Sequence, residues 1–420
     1  MRIELPYAGD LMSVELNDDA VLGALQPASF QPLPDLAAEA RIVLNAFPLA
    51  RQLARRLRGG GKVVILVPDK TRNAHVTELA PAIVDFLCEQ GVSEENVSFM
   101  FALGRHAKMT DQECRAILGD CLFDRFRTEQ SVALESEFVE AGVTSFGNRV
   151  ALNRSVMQAD ALFGINKTFF HYFAGFGGGR KLILPGAASE ETILFNHGLM
   201  VNSVPKGKNP ACASGNLDEN PIHLDMLEGA KFAPEIFILN LVANHRGEPA
   251  AVIGGGLEDG HAAACKLLKA RLTCPIREAA DFVIASCGGH PQDINFLQSH
   301  KALDNAFRAV KPGGTLVLLA ACPDGWGSAY LPEWLEKADL NLIERELRKG
   351  YESHGQTAHA ILEKTSKVNG VLISGMSEEE TSIIGMRKAE SLSAALELIP
   401  ELNSGARGYV MPFAAATLPT

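Results

Sequence analysis

His171, Lys181 and His197 punctuate one stretch of this sequence, residues 164–198, and three adjacent glycines, Gly177, Gly178 and Gly179, lie between the first two. Imidazole titrates near neutrality and serves as acid, base or metal ligand. Glycine admits positive φ and lets a ligand lie directly on the peptide groups. Each residue alone has a plain structural reading, a tight turn or a satisfied histidine. Together they form the inventory that a metal or nucleotide site needs, and nothing structural requires it in one segment. Asp69, Arg72 and His106 belong with this group because each follows an apolar run, at the position where a buried strand hands over to a loop. Two imidazoles facing one carbon from opposite sides make a symmetric acid/base pair, as racemisation requires. An arginine with a lysine clamps a carboxylate. A third histidine suits a borderline metal such as nickel, zinc, copper or iron, and a lysine in a glycine loop can carry a covalently attached cofactor. These residue types lead as far as metal- or cofactor-assisted acid/base chemistry on a small anion.

The elements that position them read as α/β. A strand over Arg2–Leu5 and a polar stretch lead into a helix including Ala38–Leu57. The run Val63-Val-Ile-Leu-Val-Pro68, bounded by Gly and Pro, predicts a buried parallel strand that delivers Asp69 and Arg72, followed by a helix near Thr77–Gln90. A second strand, Val97–Leu103, ends at Gly104-Arg-His106, and Thr110 with Glu113 forms a capping box for a helix stopped by Gly119. Strands near Arg149–Asn153 and Asp160–Ile165 deliver the glycine loop. Ser189 caps a helix with Gly198 as its stop, which puts His197 at that helix's C-terminal end. Ligands of open α/β sheets bind beyond the carboxyl ends of the strands, so Asp69, Arg72, His106 and His171 are expected to converge. A Gly/Pro/Asn-rich stretch at 202–221 and a strand at Glu235–Val242 follow. Val252-Ile-Gly-Gly-Gly-Leu reads as a turn, because it lacks the full dinucleotide fingerprint.

The pattern restarts at Thr273-Cys-Pro, where a boundary is placed: residues 1–272 form the N-terminal domain, joined by a returning 405–420 segment, and 273–404 the C-terminal α/β domain. In the latter, Asp281–Ser286 is a strand, Asp293 caps a helix running to about Val310, and Thr315–Leu319 and Gly370–Ser374 are further strands. Gln298 and Lys301 share one face of that helix. Lys301 reads as a solvated lysine or as a cation for an anionic substrate.

The chain has 420 residues, 47% hydrophobic and 21% charged, with a net charge of −11, which argues against a nucleic-acid partner. Eight cysteines without a Cys-x-x-Cys pair argue against structural zinc and thioredoxin-type chemistry. No apolar run reaches membrane-spanning length and no signal-peptide core is present, so the expectation is a cytoplasmic protein with no membrane partner.

The set Asp69-x-Thr-Arg72, Gly104-x-His106, His171 with Phe173-Ala-Gly-Phe-Gly-Gly-Gly-Arg-Lys181, Pro185-Gly186, Asn196-His197, and Gly288-Gly-His-Pro-x-Asp293 with Gln298-x-x-Lys301 resembles the nickel-dependent lactate racemase family. The resemblance implies two α/β domains with parallel-type sheets and an active-site cleft between them, and a nickel-pincer nucleotide (nickel pyridinium-3,5-bisthiocarboxylic acid mononucleotide) linked to Lys181. It further implies that His197 ligates nickel and that His106 and His171 are the paired acid/bases. Asp69, Thr71 and the backbone of Gly177, Gly178 and Gly179 would hold the cofactor, and Arg72, Gln298 and Lys301 the substrate carboxylate. The implied reaction is racemisation or epimerisation of a 2-hydroxy acid by proton-coupled hydride transfer through a 2-keto acid. The implied partners are that small substrate and, transiently, the cofactor-building enzymes, for a monomer or homo-oligomer. Ala107-Lys108 after His106 and Leu297 before Gln298 depart from the arginine and aromatic residue of lactate-specific members, so the particular 2-hydroxy acid stays open. A nicotinamide-dependent dehydrogenase and a non-catalytic cofactor-binding homologue are the alternatives.

Overall fold

A computed structural model describes residues 1–202, 207–349, 354–400, 402 and 405–420. Positions 203–206 of the predicted 202–221 stretch therefore lie outside the described residues. The chain divides into two compact units, one of Phe30–Leu199 with Pro210–Ala270, the other of Met1–Ser29, Met200–Asn209 and Arg271–Thr420.

The Phe30–Ala270 unit is built on a six-stranded sheet of β1 Val63–Pro68, β2 Val97–Gly104, β3 Arg127–Val132, β4 Ala161–Thr168, β5 Ile236–Ala243 and β6 Pro249–Gly255, in the order 6-5-4-1-2-3. Only β6 is antiparallel to its neighbour. The central strands β1 and β5 are buried along their whole length, which explains why their sequences run apolar without alternation. The chain passes from β1 to β2 and β3 on one side and returns with β4 on the other. The carboxyl ends of β2, β1 and β4 are thus neighbours at a topological switch point, where open sheets bind ligands. Helix α1 Val76–Glu89 follows β1 and buries Leu79, Ile83, Phe86 and Leu87 in the core shared with Phe99, Phe163 and Phe237. Thr110 and Glu113 form the expected capping box.

Several boundaries differ from the sequence expectation. The helix expected over Ala38–Leu57 is two, Leu36–Ala46 and Pro48–Arg56, because Pro48 has no N–H and Phe47 takes an extended conformation. Ser189 does accept from the Thr192 amide, but α2 spans Glu190–Asn202 and continues through Gly198, so His197 sits within the helix. Met200 and Val201 beyond the glycine are fully buried, and their burial outweighs its weak helix propensity. The segment Val252–Gly255 is the end of a strand, and Gly255 packs on Gly260 of the following helix.

The second unit carries its own six-stranded, all-parallel sheet, in the order Arg387–Ala389, Asn369–Ile373, Val310–Leu319, Ala280–Ser286, Gly408–Met411, Val21–Ala24. Residues 1–29 and 405–420, expected with the N-terminal domain, fall in this compact unit. Gly408 explains the fit of the last strand, since a Cβ there would sit 2.2 Å from the Phe282 ring on the adjacent strand. The helix expected from Asp293 to Val310 is Phe296–Ala306, capped by Asn295, while Asp293 accepts from the Ala8 amide at 2.7 Å. Among the described residues, no helix is long and apolar enough to cross a membrane.

Candidate active site

The three neighbouring strand ends deliver what their sequences promise. At the end of β1, Asp69 caps a short 3-10 turn, Lys70–Arg72, by accepting from the Thr71 amide at 2.6 Å. Its other oxygen accepts from Nδ1 of His106, at the end of β2, at 2.7 Å. Burial alone would raise this carboxyl, but the hydrogen bond and charge of His106, with Arg72 and Thr71, hold it well below the usual carboxylate range. An ionised Asp69 accepts only, so Nδ1 of His106 carries a proton and Nε2 of the neutral ring is the basic nitrogen.

After β4 the chain forms a hairpin in which His171 pairs with Gly175. The Ala174 amide donates to Nδ1 of His171 at 3.4 Å, which favours the opposite tautomer, with the proton on Nε2. Aromatic rings link this residue to the rest. The Arg72 guanidinium lies 5.4 Å from the Phe169 ring, whose centroid is 6.2 Å from that of His171. His171 in turn meets Phe173 edge-on at 4.5 Å. Phe173 also contacts the His197 ring at 5.2 Å and lies 5.5 Å from Nζ of Lys181. Gly104 and Gly186 join the two loops through a backbone hydrogen bond of 3.0 Å.

His197 is enclosed on α2. Burial, reinforced by the charges of Lys181 and Arg105, pushes its pKa down to about 3, so the imidazole keeps its lone pair at neutral pH. The neighbouring Asn196 fixes the helix: its amide donates to the buried Asp225 at 2.8 Å, a carboxylate that also accepts from Thr144 and Asn148.

The three glycines owe part of their identity to the protein itself. A Cβ on Gly177 would fall 2.3 Å from the Phe169 ring, and one on Gly178, at φ +87°, 2.3 Å from Oδ1 of Asn166. Gly179, at φ +56°, would place it 2.3 Å from the His261 ring. Asn166 Oδ1 and Thr168 Oγ1 are buried acceptors with no partner in the structure.

Of the residues the sequence singles out, Asp69, Thr71, Arg72, His106, His171, Gly177, Gly178, Gly179, Lys181 and His197 thus fall in one unit. Gln298 and Lys301 fall in the other, on the helix Phe296–Ala306, with Lys301 Nζ donating to Gln298 Oε1 at 2.5 Å. Sequence reasoning passes over Phe169, Phe173, Arg180, Asp225 and His261. The aromatic pair was signalled only by its place beside His171, and the last two by nothing local.

Fold and cluster define an α/β protein with an imidazole-rich cluster at the switch point of a mostly parallel sheet. Residues 7–208 match the family described as lactate racemase N-terminal domain, and residues 276–408 that described as lactate racemase C-terminal domain. Lactate racemase of Thermoanaerobacterium thermosaccharolyticum is 32% identical over 341 residues, 80% of this chain and 78% of that one. Lactate racemase of Lactiplantibacillus plantarum is 29% identical over 334 residues, 78% of this chain and 76% of that one. The solved apoprotein of the Thermoanaerobacterium enzyme covers 100% of both chains with a TM-score of 0.91, at 27% identity over that full-length superposition. A Thermotoga maritima protein of solved structure shares the fold, with a TM-score of 0.68 at 18% identity over 93% of this chain and 100% of that one. The chain belongs to the lactate racemase family.

Proposed function

We propose that this protein racemises or epimerises a small 2-hydroxy acid by proton-coupled hydride transfer, with a nickel-pincer nucleotide linked to Lys181 as its resident cofactor. The observation that carries the reading is the pair of imidazoles on neighbouring strand ends, His106 tied to Asp69 and His171 to the Ala174 amide, beside a buried neutral third, His197. The residues fit the cofactor. A neutral, enclosed imidazole is a suitable donor to nickel, and Lys181 and His197 share contact with Phe173. Among the described residues no group of three or more His, Cys, Asp or Glu is placed to hold a metal by itself, so His197 would be joined by donors from the nucleotide. When bound, the group supplies a reversible acceptor for the hydride of the substrate's α-carbon.

The protein's part is proton handling and orientation. Nε2 of His106, its ring oriented by the Asp69 contact, takes the hydroxyl proton of one stereoisomer as the α-hydrogen leaves and the carbonyl of a 2-keto acid forms. His171, in its protonated form, gives a proton to the carbonyl oxygen when hydrogen is returned to the opposite face, and is left as the neutral ring. For the mirror-image substrate the two roles exchange. Arg72, whose guanidinium lies 5.4 Å from the Phe169 ring, and Lys301, which donates to Gln298, are assigned to the carboxylate. Ala107-Lys108 and Leu297 leave the particular 2-hydroxy acid open.

The test is the intact mass of the protein co-produced with the cofactor-building enzymes and nickel, followed by a screen of chiral 2-hydroxy acids. A nickel-containing adduct that disappears in Lys181→Ala, with racemisation of at least one acid, is expected. Absence of both bound nickel and racemisation would overturn the reading.

A further inference from the structure

Among the described residues Arg180 is the largest fully buried side chain, and it has no part in the roles assigned to the site. Nη1 donates to the Phe176 carbonyl at 3.0 Å and Nη2 to the Ala174 carbonyl at 2.9 Å, both within the loop that runs from His171 to Lys181. Nη1 also donates to Nε2 of His261 at 2.6 Å. A guanidinium has no acceptor, so the His261 ring accepts at Nε2 and carries its own proton on Nδ1; Sγ of Cys265 lies 3.4 Å from Nε2 and 3.7 Å from Nδ1. Burial and the charges of Arg180, His223 and Lys181 keep that ring neutral. His223, His261 and Cys265 have the composition of a metal-ligand set, but the guanidinium occupies the lone pair a metal would need. The cluster is a clamp, and its jaws close on loop carbonyls.

We infer that Arg180 and His261 are positioning residues, holding the backbone from Ala174 to Gly179 in the one path that presents His171 at its start and Lys181 at its end. This rests on the roles assigned to His171 and Lys181 above. The glycines belong to the same device, because a side chain on Gly179 would collide with the His261 ring. Without the clamp, buried carbonyls lose their donor while the strands and helices around them stay intact, so the fault is confined to the loop.

The inference is tested with His261→Leu, which removes the acceptor, His261→Gln, which supplies another, and Arg180→Lys, which keeps the charge without the fork. Amide hydrogen exchange of the apoprotein reads the loop directly, through the Phe176, Gly177 and Lys181 amides, whose partners are the Ala174, Phe169 and Gly178 carbonyls. In folded His261→Leu those amides are expected to exchange at least about tenfold faster, with β1 and β4 unchanged. Adduct formation at Lys181 and kcat fall by a similar factor while KM moves less, and His261→Gln recovers most of the loss. Unchanged exchange in folded His261→Leu and Arg180→Lys, or faster exchange spread evenly over the unit, overturns the inference. If the parent protein gains no adduct and racemises nothing, the roles of His171 and Lys181 fall, and the exchange result still decides whether the pair positions the loop.

Discussion

His106 leans on an anion with 46% of its side chain open to solvent, whereas His197 is enclosed, with the cations Lys181 and Arg105 acting on it. The same side chain is thereby given two chemistries. A carboxylate behind Nδ1 fixes one tautomer and stabilises the imidazolium that forms when Nε2 takes a proton, which suits a group that must gain and lose protons. Enclosure among positive charges removes the protonated state from reach and leaves a permanent lone pair, which suits a ligand. Spacing in the sequence does not separate these roles; the neighbours do.

The contrast is open to attack at each end. The largest effect is expected from His197→Ala, which should leave the protein folded but without bound nickel by elemental analysis; full nickel occupancy in this variant would remove the ligand assignment. His106→Ala and His171→Ala should each lower racemisation in both directions by about 10²- to 10⁴-fold while nickel stays bound. Undiminished turnover in either variant breaks the pair. Asp69→Asn should cost on the order of 10²-fold in kcat, because an amide does not hold the same tautomer. The same variant has a pH signature. The Asp69 carboxyl is depressed in the folded chain, so its contact with His106 contributes stability above the ordinary carboxylate value and loses it as pH falls through the depressed one. Acid unfolding of Asp69→Asn should therefore be flatter than the parent's in that range, and an identical curve would count against the ionised contact. The smallest effect is expected from Arg105→Gln, which removes the lesser of the two cations acting on His197. Its imidazole should titrate at slightly higher pH by NMR, and an unmoved His197 would count against the role of the Arg105 charge.

Much of this site was legible because its carriers are local. Val63–Pro68 and Ala161–Ile165 read as buried strands from composition alone, and Thr110 with Glu113 announced a helix start that the structure keeps. Asp69, His106 and His171 could be placed at strand ends, and the adjacency of β2, β1 and β4 then brings those ends together. Reading failed where tertiary packing overrules a local rule or where partners lie far apart in the chain. Gly198 looked like a helix stop, but Met200 and Val201 are buried and the helix runs on. Arg180 and His261 have no shared period, and only the folded chain shows one donating to the other. The short Val21–Ala24 strand carries too little pattern to reveal its partner at the far end of the sequence.

That pairing bears on how the molecule is made on the ribosome. Val21–Ala24 emerges long before its neighbour in the sheet, Gly408–Met411. The unit that holds the histidines and the glycine loop is complete by Ala270 and can close its core while translation continues. The other must keep Val21–Ala24 waiting, an unpaired edge, until Gly408–Met411 arrives.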